Sequence, residues 1–259
     1  MTFPNLKHKH KEDSMFSPKE YMQYRKRRGD YPSFKIPEGV IICYQSGLLD
    51  YIIKNHKVTK VEDGFAGQNY LLNDTNNKIL VIGKFGTGAP VTSLLVEELI
   101  AFGVKKIISV GTAGTLQKNI KIGDLVVCDK AIRDEGTSHH YFKHSKYAHA
   151  SKEMTEKIKK AMNKLKLKYH VGTSWTIDAP YRETVAEARQ YQKEGVLTVE
   201  MEAAALFSIA KYRGAQMGVI FTISDSLAEL EWIPRFKAPR TQKGLNTLYK
   251  IALNVLLKK

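Results

Sequence analysis

The sequence predicts an α/β fold, a single domain with a central mixed β-sheet flanked by helices. Three observations predict it. Short β-rich runs ("GVIICY", "KILVIG", "KKIISV", "DLVVCD", "MGVIFTIS") alternate with helical patterns, and nearly continuous apolar strands belong to sheets covered on both faces. The chain, at 259 residues, is long enough for one large core. No internal repeat and no Ser/Pro-rich linker divides it.

Taken in order, residues 1–35 are polar, basic and aperiodic and read as a basic N-terminal extension, with the domain expected over 36–259. "GVIICY" is the first strand and "KILVIG" the second. The second runs into "GKFGTGAP", where Pro90 is the expected first residue of a helix near 91–102, with Leu94, Leu95, Leu99 and Phe102 as its apolar residues and Gly103 as its stop. Gly86 and Gly88 allow tight backbone at that helix N-terminus, a place where N–H groups and the dipole favour an anion; service in a turn alone is an equal alternative. Neither G-x-G-x-x-G nor a P-loop is present, which disfavours dinucleotides and nucleoside triphosphates. "KKIISV" ends in Gly111, Thr112, Ala113 and Gly114, a loop suited to presenting backbone N–H groups. After "DLVVCD", Ser151 is the expected N-cap of a helix over 151–166 whose apolar residues are Met154, Ile158, Ala161, Met162 and Leu165. Further helices are expected near 184–193, 201–213 and 243–257.

The formal charge of +15 and the pI of about 9.6 raise the question of nucleic acid. The lysines of 143–168 fall on the solvated face of an amphipathic helix, with no interleaved aromatics to stack bases, so a nucleic-acid partner is disfavoured. No apolar run is long enough to span a bilayer, and "MTFPNLKHKHKEDS" lacks the apolar core of a signal peptide, so a cytoplasmic protein without a membrane partner is expected. Cys43 and Cys128 sit in apolar strands and read as buried small hydrophobes, not as a disulfide or metal pair.

Carboxylates occupy two unusual places. Glu200 and Glu202 flank Met201 where a β-branched run turns into an Ala-rich helix. They either complement the helix dipole or accept hydrogen bonds from vicinal hydroxyls such as those of ribose. Ser224 and Asp225 end the most apolar strand of the chain. There an acid is desolvated and kept able to donate a proton, or else it caps a following helix.

In this order and spacing, "GKFGTGAP", "SVGTAGTL", "GDLVVCDKAIRDEG", "TVEMEAAAL" and "TISDS" resemble the nucleoside phosphorylase family, which contains uridine phosphorylase, hexameric-type purine nucleoside phosphorylase and methylthioadenosine nucleosidase. The resemblance runs over roughly residues 36–257. It implies a phosphorylase/hydrolase-like domain, a small-molecule nucleoside as partner, a homodimer or hexamer, a place in nucleoside metabolism such as purine salvage, and no metal or organic cofactor. The implied activity is that of a pentosyltransferase, which splits a ribosyl C1′–N bond with inorganic phosphate as co-substrate. Carried over residue by residue, the family pattern makes Asp225 the acid that protonates N7 of the base, with Ser224 beside it. Glu202 becomes the anchor of the ribose 2′ and 3′ hydroxyls, preceded by Glu200, while Met201 packs on the sugar. Thr112 is implied to touch phosphate or ribose, Gly88 to form the neighbouring turn, and Tyr181 to lie against base or sugar.

The chain departs from the family at its anion site. Where relatives carry phosphate-binding arginines it has Ser109 and Leu48, and a third, from the neighbouring subunit, would fall near Phe65; a serine does not replace a bidentate, permanently charged guanidinium. Ser109, Arg133 and His139 are the candidate anion ligands, with His140, Lys84 and Arg182 as further cations; for each basic residue an ordinary surface position is the alternative. Asp50 is the nearest acid to where nucleosidases hold the group that activates water. Thr184 and Ala186 replace the residues that read uracil, which together with Asp225 favours a purine-like base. The expectation is phosphorolysis to free base and ribose 1-phosphate, with hydrolysis by water, or nucleoside binding without catalysis, as alternatives.

Overall fold

The computed structural model describes residues 9–258, so residues 1–8 of the expected extension lie outside the described residues. Five strands close into a ring. They are β5 (Lys106–Thr115), β6 (Leu125–Asp134), β8 (His170–Ile177), β9 (Thr198–Glu200) and β10 (Gln216–Ser226). β10 joins the ring's two arms, pairing in parallel with β5 and antiparallel with β6; β6–β8 and β8–β9 are parallel, and β9 returns antiparallel to β5 at Gly114–Thr115. From β5 the sheet continues through β1 (Gly39–Cys43) and β4 (Ile79–Gly83), both parallel, to β3 (Gln68–Leu72) and β2 (Val58–Val61), both antiparallel. The short strands β7 (Tyr147–His149) and β11 (Ile233–Pro234) pair with β6 and β10. The sheet is mixed, as expected.

Helices cover both faces. One core lies between the sheet and the helices α3 (Ala89–Phe102) and α6 (Ala203–Arg213). The other is filled by α2 (Ser46–Asn55), α4 (Lys152–Lys164) and α7 (Pro239–Leu257). Leu94, expected on the apolar stripe of α3, is exposed, while Leu95, Val96 and Leu99 are buried. A third cluster around Trp175 packs β8 under α5 (Val185–Lys193).

Three local expectations need correction. Gly111–Gly114, expected as a loop, continue β5, where Gly111, Thr112 and Ala113 pair in parallel with Phe221, Thr222 and Ile223 of β10. The N-terminal region is not aperiodic throughout: Pro18–Arg28 form α1, closed at its start by a capping box between Ser17 and Glu20 and at its end by Gly29 in the left-handed conformation, φ 80°. Met22 and Arg25 of α1 are buried, and Arg25 donates to the carbonyls of Asp30 at 2.6 Å and Gly64 at 2.8 Å, which fixes the helix on the domain. Ser151 does stand at the N-cap of α4, but its Oγ accepts from the Met217 N–H of β10 at 2.9 Å instead of capping the helix.

Candidate active site

The carboxyl ends of β1, β5, β9 and β10 open into one cavity of about 590 Å³, the position at which α/β sheets bind ligands. It gathers Thr112, Tyr181, Glu200, Met201, Glu202, Ser224 and Asp225 from four separated stretches of chain, with Tyr44, Gln45 and Thr87 at one end and Glu183, Glu231, Trp232 and Phe236 at the other. Among the described residues that line it there is no Lys, Arg or His.

The two glutamates divide the roles left open by the sequence. Glu200 is buried and saturated: its Oε2 accepts from the N–H groups of Glu202 and Ala203, each at 2.8 Å, and its Oε1 from Thr176 at 2.5 Å and Ser174 at 3.2 Å. It therefore caps α6 and fixes the Met201–Glu202 corner. Glu202 faces the cavity with backbone donors only, the N–H of Gly88 at 2.5 Å and that of Met201 beside it. Gly88, at φ 101°, begins α3 and lies behind Glu202; the conformation is one that only glycine adopts without strain. Burial and the neighbouring Glu200 push the Glu202 carboxyl well above the usual range. Two further donors, such as a vicinal diol, would complete its hydrogen bonding and favour its ionised form.

Asp225 lies within β10, which runs on to Ser226, so it does not cap a helix. It is buried, with Ser224 Oγ donating to Oδ1 at 2.6 Å and Trp232 Nε1 to Oδ2 at 3.0 Å. Burial raises its pKa, and the two donors partly oppose that. A buried acid held by donors that stabilise the carboxylate it becomes is equipped to give up a proton inside the cavity.

At the opposite end, Thr112 Oγ1 accepts from Gln45 Nε2 at 2.9 Å, and Gln45 Oε1 is buried without a partner. Ser109 is buried below this end, its Oγ 3.2 Å from the Tyr44 hydroxyl, and it does not line the cavity. Leu48 and Phe65 are also core residues.

Arg133 and His139, the other candidate anion ligands, lie elsewhere. Arg133 lines a separate cavity, and its guanidinium donates to Ser138, Ser145 and the carbonyls of Phe142 and Lys143, bracing the loop after β6. His139 Nε2 contacts the Arg133 carbonyl at 3.1 Å, and Lys9 contacts His140. Lys84 faces Asp50 at 3.9 Å; both are exposed, and neither lines the main cavity. Tyr181 stands fully exposed at the cavity rim. Thr184 is engaged in a capping box with Glu187 of α5.

Tyr44, Gln45, Glu183 and Trp232 are cavity residues that sequence reasoning did not select. Tyr44 and Gln45 directly follow a strand end, so the strand-end rule could have found them. Glu183 and Trp232 sit on loops without a periodic signal. Among the described residues no cluster of three or more His, Cys, Asp or Glu side chains is placed to hold a metal ion, and no helix is long and apolar enough to cross a membrane.

The fold is an α/β domain with a closed five-strand ring and an acidic cavity at its strand ends, and comparison with known proteins gives the family: residues 39–256 match the phosphorylase superfamily, and the chain belongs to it. It is 36% identical over 174 residues to the DeoD-type purine nucleoside phosphorylase of Caldanaerobacter subterraneus, covering 66% of this chain and 73% of that protein. It is 33% identical over 180 residues to the DeoD-type purine nucleoside phosphorylase of Buchnera aphidicola, covering 63% of this chain and 76% of that protein. Uridine phosphorylase from Vibrio fischeri superposes with a TM-score of 0.71 at 25% identity, over 86% of this chain and 92% of its own. Purine nucleoside phosphorylase from Toxoplasma gondii, solved with immucillin-H, shares the fold with a TM-score of 0.76 at 21% identity, over 86% of this chain and 91% of its own.

Proposed function

We propose that this chain is a pentosyltransferase that cleaves the N-glycosidic bond of a purine-type nucleoside by phosphorolysis, giving free base and ribose 1-phosphate. The observation that carries the reading is the placement of Asp225 and Glu202 in one cavity, an acid for the departing base and an acceptor for the ribose diol. Breaking the C1′–N9 bond leaves an oxocarbenium-like sugar and sends the electron pair into the purine ring; protonation at N7, which takes up that charge, and rigid hydroxyl contacts are the help the step requires. Asp225 donates its proton to the base, and the Ser224 and Trp232 donors hold the carboxylate that remains. Glu202 accepts from the ribose hydroxyls, Met201 underlies the sugar, Glu200 positions Glu202, and Tyr181 closes on the base or sugar. Thr112 and Gln45 flank the place of the nucleophile. The similarity to purine nucleoside phosphorylases supports phosphate in that place. A homodimer or hexamer, action in the cytoplasm and catalysis without an organic cofactor belong to the same proposal.

Hydrolysis is the second reading, and the absence of Lys, Arg and His from the described cavity lining favours it. A phosphate dianion among carboxylates needs a cation, whereas the partnerless Gln45 Oε1 beside Thr112 suits a neutral water. Base release from inosine and adenosine tests the shared chemistry. Asp225→Asn is expected to lower kcat by about 10²–10⁴-fold with little change in KM, and undiminished turnover by that variant would overturn the assignment.

A further inference from the structure

The loop between β8 and α5 carries a cavity group that the cleavage chemistry leaves unused. Glu183 is half-buried and lines the cavity close to Tyr181 and Thr184, and among the described residues no protein donor reaches its carboxyl. The charged groups around it are acids. Asp225 comes from β10, Glu187 from the first turn of α5, and Glu231 from the loop after β10, while Glu200 and Glu202 line the ribose end of the same cavity. Arg182, next to it in the chain, is exposed and does not line the cavity. Burial first, then Asp225 and Glu187, push the Glu183 pKa up to about 7. Of the other acids at this end, Asp225 has Ser224 and Trp232 as partners and Glu187 has Thr184, while Glu231 is exposed to water. A carboxyl drawn out of water with no donor is unfavourable until a ligand supplies N–H groups.

We propose that Glu183 is a specificity-determining residue that accepts a hydrogen bond from an exocyclic amino group of the base, so that the cavity prefers a 6-aminopurine nucleoside to its 6-oxo counterpart. The proposal rests on the nucleoside-cleaving reading of this cavity. In a purine, N7 and the 6-substituent share one edge, so the group beside the acid that serves N7 is the one that meets the 6-substituent. A 6-amino group offers N–H donors to Glu183. A 6-oxo group offers only lone pairs, which an ionised carboxylate repels and a protonated one tolerates. A site built around such an acceptor discriminates strongly against the analogue that leaves it unpaired.

The test compares kcat/KM for adenosine, inosine and guanosine, with inorganic phosphate present, between the wild-type chain and Glu183→Gln, well below and well above pH about 7. The expected wild-type preference for adenosine over inosine is about tenfold or more once Glu183 is ionised, and it shrinks as the pH falls. Loss of the Asp225 proton affects all three substrates and cancels in the ratio. Glutamine presents a donor and an acceptor, so the variant should show a ratio near unity at every pH. An unchanged ratio in the variant, an inosine preference at high pH, or a Glu183-dependent preference for guanosine over inosine would overturn the proposal. Calorimetric binding of adenine and hypoxanthine separates the two claims. Glu183-dependent selection of adenine by a chain that cleaves nothing would keep this proposal and sink the cleavage reading. Cleavage without Glu183-dependent selection would do the reverse, and neither binding nor cleavage would sink both.

Discussion

At the scale of single residues, the site is a problem of hydrogen-bond supply to buried carboxylates. Glu200 has four donors that fill both its oxygens, Asp225 has two side-chain donors and Glu202 has backbone donors only, and this difference separates the structural cap from the groups free to act on a ligand. Trp232 tunes the acid: its indole N–H lowers the Asp225 pKa against the upward push of burial. The proposed role of Asp225 as acid needs it protonated, so kcat should fall as pH rises through its pKa in the substrate complex. Removing the indole donor with Trp232→Phe should raise that pKa and move the alkaline limb of the kcat profile to higher pH, while Asp225→Asn should abolish the limb. A pH profile of kcat checks both, and a limb shifted to lower pH in the phenylalanine variant would contradict the assignment. Asp225, Glu202 and Thr112 were legible as cavity residues because each lies within a few residues of the carboxyl end of a strand. Trp232 was not, because only the folding back of its loop through β11 brings the indole to Asp225. Arg133 and His139 look like anion ligands in the sequence, yet the loop after β6 uses them for its own carbonyls and hydroxyls.

At the scale of elements, the start of α6 sets the ribose end of the site. Glu200 holds two N–H groups of that turn and two hydroxyls of β8, so Glu200→Ala leaves buried donors unpaired. About 1–3 kcal/mol is expected for a buried group left so, and a denaturant titration should show a loss at least that large. KM for nucleoside should rise as the Met201–Glu202 corner loosens; wild-type stability in this variant would deny Glu200 its capping role. The helices α3, α4, α5, α6 and α7 were readable from apolar spacing and stop signals. The charged α1 was not, since its stripe is reduced to Met22 and the stem of Arg25. Likewise β8 carries Gly172, Thr173, Ser174 and Thr176; two of these hydroxyls serve Glu200, a purpose invisible to a pattern of hydrophobicity.

At the scale of the whole molecule, closure of the five-strand ring brings distant strand ends into one acidic cavity on a chain of net charge +15. The α/β class was legible because β1, β4, β5, β6 and β10 each contain a nearly continuous apolar run, but ring closure depends on β10 pairing with β5 and β6 together, and no single segment records that. The basic surface and the cation-free lining act on phosphate in opposite senses: the field of the surface attracts the anion, while the described lining offers it no cation. Quantifying free base and ribose 1-phosphate released from adenosine by the wild-type chain, with and without inorganic phosphate, tests phosphorolysis most directly. The account predicts base release that requires phosphate, with ribose 1-phosphate formed in equal amount; equal turnover in its absence, with free ribose as the sugar product, would contradict it.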